Sequence, residues 1–184
     1  MTVRSHWCEP PARRVSDTMA STLDLLKRLN DHQVEYVLVG GVACVLHGSQ
    51  AVTQDVDICA PFTPDNLSRL IAALAGTRPR FRMSRDLRPL PGQPEKLEGF
   101  KNLYLVTDLG QLDILSEITG VGGYSEVARH TIRVDLESVK CRVLDLETLI
   151  AAKKALDSPK DRQVAIELEA IRQRLASREK GPEE

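Results

Sequence analysis

Apolar residues in this chain recur at two spacings, and the switches between them mark out the elements. Leu25, Leu26 and Leu29 share one face of a predicted helix that Ser21 or Thr22 can cap. Val34 to Val39 is a short run rich in β-branched residues and predicts a buried strand, broken by Gly40-Gly41. Val42 to His47 returns to helical spacing and stops at Gly48. Asp55-Val56-Asp57-Ile58-Cys59 alternates strictly, which predicts a half-buried strand. Thr63-Pro64 supplies a helix cap and first-position proline ahead of Leu67, Leu70, Ile71 and Leu74.

From Arg78 to Glu98 the periodicity is lost. Five arginines and four prolines in that stretch predict a mobile loop, flanked by a strand near Phe81. Strands at 101–106 and 111–115 follow, separated by the turn signal Asp108-Leu109-Gly110, and then a hairpin from 131–135 and 139–144. The remainder is helical: 146–156, then a long helix carrying Val164, Leu168, Ile171 and Leu175. The expected architecture is therefore α+β, one mixed β-sheet with flanking helices and a C-terminal helical segment. Residues 1–18 read as a disordered leader, 19–178 as a single domain with its C-terminal helices from about 145, and 179–184 as a tail.

Composition narrows the functional classes. Lys and Arg number 25 against 26 Asp and Glu, so there is no global positive field to coat a nucleic acid, though a local patch can still grip one. The four cysteines fit no zinc spacing, and Cys44 and Cys59 sit in apolar runs as small core residues. No stretch reads as a signal peptide or approaches the ~20 apolar residues that span a bilayer, and the cytoplasm is the expected location.

The candidate chemistry lies in carboxylates. Asp55 and Asp57 are two apart on a strand, so both project from one face while Val56 and Ile58 take the other. Carboxylates this close repel each other unless a cation lies between them, and a hard divalent ion suits oxygen donors. On the next strand Asp113 is flanked by apolar Leu112 and Ile114, which makes it a better third carboxylate than Asp108, a turn residue. Gly40-Gly41, between a strand and a helix, lets the backbone approach an anion closely. His47, beside Gly48 at a helix end, reads as a residue that satisfies terminal carbonyls, and Tyr104 and Tyr124 read as core or pocket wall.

Gly-Gly followed by the Asp-Val-Asp-Ile strand resembles the signature of the nucleotidyltransferase superfamily that includes DNA polymerase beta. The longer stretch Val39 to Ile58 (VGGVACVLHGSQAVTQDVDI) is similar to the bacterial AbiEii-type and minimal nucleotidyltransferase groups, as is Leu144 to Asp161, with its helical lysine and Lys-Asp pair. The resemblance implies nucleotidyl transfer with Mg²⁺ or Mn²⁺ on Asp55, Asp57 and Asp113, and Asp113 as the base toward the acceptor hydroxyl. It further implies NTP contacts from Gly40, Gly41, Ser49, Thr53, Lys153, Lys160 and Asp161. The acceptor it implies is a tRNA 3′ end, a partner protein or a small molecule, in a toxin–antitoxin setting. Two positions depart from the pattern. Ala51 stands where an arginine is usual, so that contact is missing or comes from Arg78, Arg80 or Arg82. Asp157-Ser158 replaces a basic residue before Pro159. A catalytically silent nucleotide- or partner-binding module is the alternative.

Overall fold

A computed structural model describes residues 15–50, 53, 55–137 and 139–179. The elements run α1 (Val15–Asp31), β1 (Val37–Val39), α2 (Gly40–Leu46), β2 (Asp55–Cys59), α3 (Pro64–Leu74), β3 (Arg80–Phe81), a 3-10 helix (Pro94–Leu97), β4 (Asn102–Thr107) and β5 (Gly110–Leu115). They continue with β6 (Glu117–Ile118), β7 (Gly122–Gly123), α4 (Tyr124–Val127), β8 (Thr131–Leu136), β9 (Val139–Leu144), α5 (Leu146–Leu156) and α6 (Pro159–Glu179). The expected α+β architecture is present, with a seven-stranded sheet in the order β3-β4-β5-β2-β1-β9-β8 and a separate β6-β7 ladder. The sheet is mixed: β2 runs antiparallel to β1 but parallel to β5, and β1 runs parallel to β9.

Alternation along three neighbouring strands separates core from site. Val56 and Ile58 stand in register with Leu112 and Ile114, and these with Leu105 and Leu103 on β4. All six are nearly inaccessible to solvent. They form an apolar face of the kind that, at ~25 cal/mol per Å² buried, supplies most of a domain's stabilisation. Leu25, Leu26 and Leu29 of α1 and Leu67, Leu70 and Leu74 of α3 belong to the same core. The opposite parity places Asp57, Asp113 and Tyr104 side by side on the other face of the sheet.

Several boundaries differ from the sequence reading. α1 already begins at Val15, so Ser21 and Thr22 lie inside it rather than capping it, and residues 15–18 of the expected leader are helical. The rest of that leader, residues 180–184 of the tail, and Ala51 lie outside the described residues. Thr63 does cap α3, its Oγ accepting from the Asn66 N–H at 3.3 Å. The stretch 78–98 is mostly turn and coil with the expected strand at Phe81, but hydrogen bonds order it. Leu90 N–H donates to Pro79 O at 2.9 Å and Phe81 N–H to Arg88 O at 2.8 Å, folding 79–90 back on itself as an arm. Phe81 stacks on Phe100 with ring centroids 5.7 Å apart, and Leu97 is fully buried. The prolines that hid this order from periodicity end the arm and open the 3-10 helix.

Candidate active site

The site is built where β2 meets β5. Asp57 and Asp113 are direct neighbours across the parallel pair, and Asp55 lies two residues earlier on the same face of β2. The parallel pairing, which no local pattern could announce, is what brings the third carboxylate to the first two.

Gly40 and Gly41 press against this edge. Gly40 has φ +62°, and a Cβ there would lie 2.1 Å from Asp57 Oδ2 and 2.6 Å from Asp57 Cβ. A Cβ on Gly41 would lie 2.5 Å from Thr53 Oγ1. Only glycine allows the start of α2 to sit so close to β2. The Gly41 N–H donates to Asp57 Oδ2 at 3.3 Å, so the loop amide is already turned toward the carboxylate. Thr53 Oγ1 in turn donates to Asp55 O at 3.2 Å.

Two carboxyls are displaced from their ordinary ionisation. Burial pushes Asp57 up, opposed by the Gly41 N–H and reinforced by Asp55. Burial likewise pushes Asp113 up, to about 6; Arg82 opposes this, and the charges of Asp57 and Asp55 add to it. The sign follows for stability. Between about pH 4 and pH 6 folded Asp113 holds a proton that the unfolded chain has lost, so stability falls as pH rises through that window. Asp113→Asn is expected to flatten the fall. Urea midpoints at pH 4, 5, 6 and 7 check it, and parallel curves for the two proteins would refute it.

The cation within this cluster is one the sequence placed only among three arginines. Arg82, immediately after β3, sends Nη2 to both oxygens of Asp113 at 2.7 and 2.6 Å, and Nη1 to Asp55 Oδ2 at 3.4 Å and to Gln111 Oε1. Its guanidinium lies 5.8 Å from the centroid of the Tyr104 ring. Arg78 instead pairs with Asp108 at 2.8 Å.

Beside the carboxylates opens a cavity of about 330 Å³ whose lining includes Gly40, Asp57, Tyr104, Ile118, Leu149 and Lys153. α5 delivers Lys153 here because Asp145 caps that helix, accepting from Thr148 N–H at 2.8 Å. Lys153 Nζ bonds Asp161 Oδ1 at 2.9 Å, and Ser158 Oγ donates to Asp161 Oδ2 at 2.5 Å. Burial alone would raise Asp161, but those two hydrogen bonds hold it below the ordinary carboxylate range.

The implied residues therefore do not all converge. Gly40, Gly41, Thr53, Asp55, Asp57, Asp113 and Lys153 gather at one place, with Asp161 behind Lys153. Ser49 turns away, its Oγ donating to Glu167 Oε2 at 2.9 Å while the Gln50 N–H takes Oε1 at 2.8 Å. Lys160 lies exposed in the first turn of α6 and is not part of the cavity wall. His47 Nε2 meets Leu144 O at 2.8 Å, a backbone contact that ties α2 to β9. Among the described residues no three Asp, Glu, His or Cys groups are spaced to enclose a metal ion as they stand. No helix among them is long and apolar enough to cross a membrane.

No protein-family model matches the chain, and no curated protein matches it by sequence. Crystal structures of similar shape include the following two. One is a candidate nucleotidyltransferase from Thermotoga maritima, 14% identical, with 92% of this chain and 95% of that one covered at a TM-score of 0.48. The other, a candidate nucleotidyltransferase from H. pylori, is 15% identical, with 77% of this chain and 58% of that one covered at a TM-score of 0.42. Likeness this distant assigns no activity, so the chemistry has to come from the residues themselves.

Proposed function

We propose that this protein transfers a nucleoside monophosphate from an NTP to an acceptor hydroxyl. The observation that carries the reading is the three-carboxylate cluster formed by Asp57 and Asp113 in register on parallel strands, with Asp55 on the same face. A fold with no use for it would gain by losing it, since burial and mutual repulsion work against the charges.

The donor chemistry fits Mg²⁺ or Mn²⁺: Asp55, Asp57 and Asp113 would hold such an ion through hard carboxylate oxygens. When bound, such an ion supplies charge neutralisation at the reacting phosphate. The chain's own residues would do the rest. Asp113, in register with Asp57 on the neighbouring strand, would take the acceptor proton. The acceptor oxygen then bonds to the α-phosphorus, the bond to the bridging oxygen breaks, and pyrophosphate leaves with the electron pair. Lys153, lining the same cavity as Asp57, offers positive charge toward the phosphates. Gly40 and Gly41 keep side chains out of the path between α2 and β2.

The acceptor classes are a tRNA 3′ end, a protein hydroxyl such as tyrosine, or a small molecule, within a toxin–antitoxin pair in the cytoplasm. The test incubates the protein with each α-³²P-labelled NTP, Mg²⁺ and a host lysate, beside the Asp55→Ala/Asp57→Ala double variant. Label is expected in one fraction (RNA, protein or small molecule) and absent with the variant. Label that remains wholly in NTP would overturn the reading. It would favour a silent nucleotide-binding module, which the Arg82 bridge across Asp55 and Asp113 also supports.

A further inference from the structure

The Arg82 side chain makes more contacts within the carboxylate cluster than any role as a distant NTP contact would require. Its fork takes both oxygens of Asp113 and one of Asp55, and adds Gln111. The placement is enforced from the backbone, since the Arg82 N–H donates to Tyr104 O at 2.8 Å, and from below by the Tyr104 ring. Yet the guanidinium is not fully satisfied. Its Nε is buried without a hydrogen-bond partner. A buried donor left so is costly, so this is a guanidinium drawn to the acids at the expense of one of its own donors.

Asp55 and Asp113, the carboxylates Arg82 holds, are among those that would hold a divalent ion. One carboxylate oxygen cannot serve a guanidinium fork and an ion's inner sphere at full strength, and two cations packed there would repel. We propose that Arg82 and a divalent cation are alternative partners of the Asp55 and Asp113 carboxylates, so that Arg82 is a positioning residue that sets how tightly the site takes a cation. The proposal rests on the nucleotidyltransferase reading only in treating this cluster as a cation site. It also accounts for the spacing of the acids as they stand, which does not enclose an ion. Released from the acids, the Arg82 fork is shaped to meet a phosphate bidentately.

Calorimetric titration with Mn²⁺ alone, in the absence of NTP, tests this on the wild type, Arg82→Ala, Arg82→Gln and Arg82→Lys. Arg82→Ala and Arg82→Gln are expected to bind Mn²⁺ at least about tenfold tighter than wild type, the factor one charge-assisted hydrogen bond corresponds to. Arg82→Lys, which keeps the charge but loses the fork, should fall between. Adding Asp113→Asn to Arg82→Gln should abolish the gain. Equal or weaker Mn²⁺ binding by both neutral variants, a gain that survives Asp113→Asn, or no binding by any of the proteins would each overturn the proposal. Circular dichroism confirms that each variant is folded before it is titrated. Because no NTP is present, a positive result stands even if the labelling experiment fails, and equal binding by all the proteins would leave nucleotidyl transfer untouched.

Discussion

Asp57→Asn is expected to lower nucleotidyl transfer at least about a thousandfold, as loss of a group acting only on transition-state charge does, while leaving the protein folded. The amide has the carboxylate's shape, and its oxygen can still accept from the Gly41 N–H. Its neutrality removes a charge that burial disfavours, so thermal stability should hold or rise. The combination discriminates. A residue that merely supports the fold would lose stability together with activity, whereas Asp57 should separate the two. Transfer within tenfold of wild type, measured by label incorporation at saturating NTP, would remove Asp57 from the reaction.

Gly40→Ala is expected to act in the opposite way, costing at least about 3 kcal/mol of stability and transfer along with it. Part of the cost is conformational, because φ +62° is a region that a side chain disfavours. The larger part is steric. The new methyl would meet the Cβ of Asp57 as well as its carboxylate, so turning the Asp57 side chain cannot relieve the clash, and α2 must move off β2. Urea unfolding checks it. A midpoint shift equivalent to less than about 1 kcal/mol would mean that the α2 start yields without strain.

How much of this was readable from the chain follows from the range of the interactions involved. Asp55 and Asp57 could be placed on one strand face because alternation is local, and Thr63-Pro64 marks a helix start through a cap that acts within three residues. Asp113 could be proposed from its apolar neighbours, but not its register with Asp57, which depends on a parallel pairing between distant segments. Arg82 was the hardest. It stands among five arginines in a proline-rich stretch, on the border of a two-residue strand too short to show a period. What singles it out is the strand pairing that aims it at β5, and pairing of that kind leaves no mark on local sequence. Ser49 misled for the converse reason. Its place in a motif is local, whereas its partner Glu167 lies on the last helix.

The parallel union of β2 and β5 also sets when the carboxylate cluster can assemble. A parallel pair cannot be closed by a hairpin, and here the connection passes through α3, the arm and β4 before β5 returns to β2. On a ribosome elongating at roughly 5–20 residues per second, several seconds separate the emergence of Asp57 from that of Asp113. Lys153 follows later still. Throughout that interval the first two aspartates have β1 as their only sheet neighbour, so the growing chain carries the motif without the chemistry. On the reading proposed above, transfer could begin only once α5 has been made, which leaves a translational window before the site is complete.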